Sequence, residues 1–192
     1  MKIFINPGHD VDRDSGACGN DMREADVVLD LGERVKAYLE QAGYEVVLLQ
    51  SDNLTGETPD LPCVCAEANA SGADLFLSIH CNACNGEARG IETLCFSLGG
   101  DGERLAKAVQ ARLVETLQGI DSTIPDRGIK VRDGLAVLRA TNMPAVLAEV
   151  AFIDSAEDAA LLQNNKDDIA KALACGVSDF YAKKGDSENG NY

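Results

Sequence analysis

Short apolar runs separated by longer amphipathic stretches limit what this chain can fold into more than any other feature. Residues 3–6, EVVLLQ at 45–50, DLFLSIH at 74–80, GIETLCFS at 90–97 and AVLAEV at 145–150 each have the length of a buried strand. Between them the spacing becomes helical. Val27, Val28, Leu31, Val35, Tyr38 and Leu39 recur on one face of a helix predicted over 24–42, and Gly43 stops it. Shorter periodic stretches predict helices over 63–70, about 103–118 and about 167–182, the last carrying Ile169, Leu173, Val177 and Phe180 on one face. Ser155 is suited to cap the segment that follows it. Residues 130–139 read as a loop and a short strand.

Strands that alternate with helices imply right-handed crossovers and a parallel sheet covered on both sides. The expected fold is therefore α/β: a single domain, with a mostly parallel twisted sheet of about six strands and helices on both faces. The expected domain covers residues 1–182. The polar segment KKGDSENGNY at 183–192 is expected to be a frayed tail.

Hydrophobic residues make up 45% of the 192, enough for a real core, while aromatics are 5% and Trp is absent. Val, Ile, Leu and Ala must therefore fill the interior, which suits helices on a sheet. The net charge of −15 argues against nucleic acid and anionic membrane as partners, since both require a basic surface. The apolar stretch after Met1 and Lys2 is too short for a signal-peptide core or a membrane span, so no membrane insertion is expected, and a monomer is assumed. The seven cysteines show no zinc-finger spacing and read as free thiols.

The chemistry lies where polar residues interrupt apolar strands. The chain has only two histidines. His9 follows the first strand, in Ile-Asn-Pro-Gly-His, and His80 ends another, in Leu-Ser-Ile-His. Glu149 interrupts Val-Leu-Ala-Glu-Val, where a buried carboxylate is costly unless it is paired or near a metal. Taken singly, His9 reads as a loop residue, His80 as a core histidine and Glu149 as the partner of an arginine. Together they fall at the strand ends where open α/β sheets bind ligands. Two imidazoles and a carboxylate, with one position left for water, form a catalytic zinc shell. The carboxylate could be Asp10, Asp12, Asp14, Asp21, Glu24 or Asp26, and spacing alone does not choose among them.

A wider set of segments carries a resemblance. Ile-Asn-Pro-Gly-His (5–9), Gly-Ala-Cys-Gly (16–19), Arg-Glu-Ala-Asp-Val (23–27) and Ala-Asp-Leu-Phe-Leu-Ser-Ile-His-Cys-Asn-Ala (73–83) come first. Arg-Gly-Ile-Glu-Thr (89–93), Arg-Gly-Ile-Lys (127–130), Leu-Ala-Val-Leu-Arg (135–139) and Met-Pro-Ala-Val-Leu-Ala-Glu-Val-Ala-Phe-Ile (143–153) follow in order. In this ordered set the chain resembles the zinc-dependent N-acetylmuramoyl-L-alanine amidases of cell-wall hydrolases and phage endolysins.

The resemblance implies one Zn²⁺ ion held by His9, Glu24 and His80, with Glu149 as the catalytic carboxylate. It implies peptidoglycan as partner, cleavage of the bond between N-acetylmuramic acid and L-alanine, and action at the cell wall by an export route the sequence does not show. Glu149 is expected to take a proton from the attacking water and give it to the departing nitrogen. Two other readings use the same residues: a zinc peptidase or carboxypeptidase acting on wall peptides, and a noncatalytic wall-binding module. The chain departs from the family at Asp10, where Gly is usual, and at Cys81, where a small residue is common. Asp10 is expected to face solvent rather than hydrogen-bond a ligand histidine. Cys81 is expected on the strand face opposite His80. Arg89, Arg127, Lys130, Arg132 and Arg139 are candidates for substrate carboxylates or for salt bridges. Glu92 is expected at an outward strand position.

Overall fold

A computed structural model describes the backbone of residues 1–189 and the side chains of residues 1–182. The strands are β1 (Lys2–Pro7), β2 (Cys18–Gly19), β3 (Met22–Arg23), β4 (Glu45–Leu48), β5 (Leu75–Asn82), β6 (Ile91–Cys95), β7 (Asp126–Val131) and β8 (Ala145–Phe152). The helices are α1 (Glu24–Gln41), α2 (Val64–Ser71), α3 (Asp101–Ile120), α4 (Ala136–Arg139), α5 (Ala156–Asn164) and α6 (Lys166–Asn189). Helical backbone thus continues into the segment predicted to be a tail, and 190–192 lie outside the described residues.

Six strands form one sheet in the order β4-β1-β5-β8-β6-β7, while β2 and β3 make a small hairpin beside it. The pairs from β4 to β8 are parallel. β6 runs antiparallel to β8 and parallel to β7. The reversal follows from length. Residues 83–90 join β5 to β6 without a helix, and a parallel return needs a crossover of about a dozen residues or more. From β6 to β7 the twenty-residue α3 supplies that crossover, so those two strands run the same way.

Alternation along the strands separates two cores. Ile3, Ile5, Leu75, Leu77, Ile79, Cys81, Ile91, Val146, Ala148 and Val150 face the long helices α1, α3 and α6. Cys81 therefore packs in the core on the side away from His80, as alternation predicts. Phe4, Phe76, Leu94, Ala145 and Leu147 face the other way, with residues of the short helices α2 and α4 over them. Phe4 and Phe76 stack with ring centres 5.5 Å apart, an arrangement that adds about 0.5–1.5 kcal/mol beyond the area buried. On that side a hollow lies at the carboxyl ends of β1 and β5, lined by His9, Asp14 and His80 and walled by Leu54 and Val137. The segment expected as a loop and strand over 130–139 is instead the end of β7 followed by α4.

Candidate metal centre and active site

His9 lies just beyond β1, in the left-handed backbone region at φ 64°. A non-glycine residue held there stores strain that the surroundings must offset. The chain around it is tied down closely. The Gly8 amide donates to the Ile79 carbonyl at 2.9 Å, and Gln50 Nε2 donates to the carbonyls of Gly8 at 3.0 Å and Ala25 at 2.9 Å. One side chain thus fixes both the turn carrying His9 and the start of α1. Gly8 has no alternative, because a Cβ there would fall 2.1 Å from the His80 ring.

Glu24 opens α1, its side chain almost fully buried between the two histidines. Its Oε2 lies 3.0 Å from His9 Nε2 and accepts the Ala17 amide at 2.9 Å. Its Oε1 lies 3.0 Å from His80 Nδ1 and accepts the Cys81 amide at 2.9 Å. Burial alone would raise the Glu24 pKa, but hydrogen bonds from His80 and His9 outweigh it and hold the carboxyl well below its usual range. Gly16 leaves the space this requires, since a Cβ there would stand 2.6 Å from the His9 ring and 2.7 Å from Glu24 Oε2.

The remaining His9 nitrogen, Nδ1, is 2.6 Å from Asp14 Oδ2. Asp14 reaches it through a tight turn. Backbone bonds join Asp10 and Asp14 in both directions, and Asp10 Oδ1 accepts the Asp12 amide at 3.0 Å. Asp14 Oδ1 accepts the Gly16 amide at 3.0 Å, so the carboxylate is fixed at both ends. The side chain that steadies the histidine is therefore Asp14, while Asp10 shapes the turn.

One donor atom each from His9, Glu24 and His80 lies within 4.8 Å of the others. Ligands on a tetrahedral zinc stand about 3.3 Å apart, so this set fits a single ion of that kind. Glu149 sits one strand further along, its Cα in register with His80 across β5 and β8. Its Oε2 is buried with no hydrogen-bond partner among the described residues. Burial raises its pKa to about 7, only partly opposed by the charge of His80. A buried oxygen with nothing to accept from, beside three converging donors, suits a group that handles a proton during reaction.

The sequence matches the family of N-acetylmuramoyl-L-alanine amidases over residues 3–179. The chain belongs to that family. It is 37% identical over 184 residues to the N-acetylmuramoyl-L-alanine amidase LytC of Bacillus subtilis, covering 93% of this chain and 35% of that one. It is 36% identical over 189 residues to an endolysin of Bacillus phage SPP1, covering 93% of this chain and 65% of the endolysin. The chain thus spans about a third of the first relative's length and just under two thirds of the second's. Among solved structures, the amidase AmiC2 of Nostoc punctiforme superposes with a TM-score of 0.81 at 29% identity, covering 95% of this chain and 97% of that one.

Other polar residues singled out in the sequence are held in ion pairs. Arg89 is occupied: Nε meets Asp158 at 2.6 Å and Nη2 meets Asp121 at 2.6 Å, and Asp158 is fully buried. That arginine ties the 83–90 connection to α5 and to the residue that follows α3, and lies outside the site. Glu92 differs from its expected outward position. It is buried, its Cα is in register with Glu149, and it accepts from Asn82 Nδ2 at 3.2 Å and Arg127 Nε at 2.9 Å. Alternation from Leu94 places Glu92 on the Glu149 face, a signal in the sequence that a charged residue's usual exposure conceals. None of the seven cysteines is disulfide-bonded. No helix of the described residues is long and apolar enough to cross a membrane.

Proposed function

We propose that residues 1–182 form the catalytic domain of a zinc-dependent hydrolase that breaks the amide bond between N-acetylmuramic acid and L-alanine in peptidoglycan. The observation that carries this reading is the convergence of His9, Glu24 and His80 within 4.8 Å, with the unpartnered Glu149 oxygen one strand away. Family membership supplies the substrate class.

His9, Glu24 and His80 would hold the ion. When bound, zinc supplies Lewis acidity for the scissile carbonyl and for the attacking water. Asp14 fixes the His9 ring through Nδ1, which leaves Nε2, pointing at Glu24 Oε2, as the nitrogen that would meet the ion. Glu149 takes the proton from the attacking water as general base and returns it to the departing alanine nitrogen as general acid. Burial favours the neutral form of this carboxyl, which suits a group that must hold the proton it takes before passing it on. Glu92, on the same face of the sheet, is paired to Arg127. Activity at the cell wall follows from the substrate.

Mass spectrometry of peptidoglycan digested by the zinc-loaded protein tests this reading. Stem peptides released intact with a free L-alanine amino end are expected, and a chelator should stop their release. Shortened peptides would instead identify a peptidase, and the absence of any chelator-sensitive product would identify a binding module.

A further inference from the structure

The order of the strands gives the substrate a direction. Across the open edge the sequence of groups is His9 after β1, His80 on β5, Glu149 on β8, Glu92 on β6 and Arg127 on β7. Glu149 must deliver its proton to the departing nitrogen, so on the proposed amidase reading the nitrogen lies on the Glu149 side of the metal ligands. The peptide then extends over β6 and β7, and the sugar lies toward His9.

Arg127 stands in the path of that peptide, and it is held rather than loose. Its Nε donates to Glu92 Oε2 at 2.9 Å and its Nη1 approaches the Arg89 carbonyl at 3.5 Å. The guanidinium carbon lies 5.0 Å from the centre of the Phe152 ring, a cation–π contact. Gly90 forms the floor beneath it, because a Cβ there would come within 3.0 Å of Arg127 Cγ and Cδ. The side chain is nevertheless 37% exposed. A guanidinium so fixed, with donors left over from its ion pair, is ready to take a carboxylate at little further entropic cost. Lys130, whose Nζ donates to the Arg127 carbonyl at 3.1 Å, adds a second cation on the same strand. In a chain of net charge −15, a cation at this position also offsets general repulsion of an acidic peptide.

We infer that Arg127 is a specificity residue that binds the α-carboxylate of the second stem-peptide residue, left free where that residue is an acidic one joined onward through its side-chain carboxyl. The span agrees. Neighbouring strands are about 4.8 Å apart, which puts β7 about 10 Å from β8, and the Arg127 side chain leans back over β6 to Glu92. Two residues of extended peptide from the departing nitrogen reach about 7 Å, which brings that carboxylate to the guanidinium. Amidation of the carboxylate removes the charge that Arg127 recognises.

The test compares two N-acetylmuramoyl tripeptides that differ only in whether this α-carboxylate is free or amidated. The wild-type chain should cut the free acid with a KM about tenfold lower and a similar kcat. Arg127→Gln should bring the two KM values together by raising that of the acid alone, and Arg127→Lys should keep part of the preference. A ratio of KM values measured within one variant does not depend on the fraction correctly folded. If Arg127→Gln raises both KM values equally, or if the wild type shows no preference, Arg127 is only the counterion of Glu92 and the inference fails alone. If neither tripeptide is cut, the amidase reading fails and takes this inference with it.

Discussion

Asp14 and His9 meet at the one imidazole nitrogen that faces away from Glu24, with Asp14 Oδ2 at 2.6 Å from Nδ1. This contact fixes the orientation of the ring that the proposed function assigns to the metal. Asp14→Ala should weaken zinc binding by about 10–100-fold with the fold intact. Competition with a chromophoric chelator measures it, and an unchanged affinity would show the contact to be incidental.

Glu149 touches neither Glu24 nor His9 by any described hydrogen bond, so its loss should separate metal binding from turnover. Glu149→Gln should keep one zinc per chain and lose about 10²–10⁴-fold in kcat on purified peptidoglycan. Metal analysis and rate measurement on the same sample check both halves. Near-normal turnover would remove Glu149 from the mechanism.

The metal-free protein should lose stability as pH rises. Burial lowers the His9 pKa, but hydrogen bonds and charge from Glu24 and Asp14 outweigh it and raise the value from 6.5 to about 9. Burial raises Glu149 from 4.5 to about 7. A group raised on folding stabilises the fold fully below its unfolded pKa and ceases to as pH passes its folded pKa. Glu149 therefore acts between pH 4.5 and about 7, and His9 between 6.5 and about 9. Melting temperatures in chelator should fall across that whole window. Zinc takes the unprotonated imidazole, so the gain in melting temperature on adding zinc should grow over the same range. A flat or rising metal-free profile would contradict the assigned shifts.

Arg89 provides a contrast outside the site. Asp158 is fully buried, and among the described residues it accepts, apart from Arg89, the Gly90 amide at 2.9 Å and the Phe152 amide at 3.1 Å. Arg89→Ala should leave that carboxylate unpaired and cost about 3–5 kcal/mol in urea unfolding. Zinc affinity of the folded fraction should not change. A loss under 1 kcal/mol would mean that solvent reaches Asp158.

Much of the architecture was legible because apolar periodicity reports burial directly. The strands around Phe4, Leu77 and Leu147 and the helix carrying Leu31 and Leu39 all lie where their spacing puts them. Direction was not legible that way, since a period of two is the same for a strand read either way. Only the short connection 83–90 signals that β6 is reversed. The four residues of α4 were too few for periodicity to separate helix from strand. In the site, His9, His80 and Glu149 stood out as polar residues at the ends of apolar runs. Glu24 did not stand out from its acidic neighbours, because its place depends on how 15–17 fold back on the start of α1. Asp14 was hidden for a related reason: its reach to His9 depends on a turn set by Asp10, and hydrophobic pattern carries no record of such a turn.

The reversal of β6 has a consequence for how such a domain can diversify. The connection 83–90 leaves and re-enters the sheet on the same rim, bridging the end of β8, where the Cys84 and Gly86 amides are pinned by Asp154 at 2.9 Å. Insertions there would need no rerouting of any helix and no change in strand order. New material would accumulate at that rim, beside the ends of β5 and β8, and change what can approach it, while the scaffold beneath kept its shape.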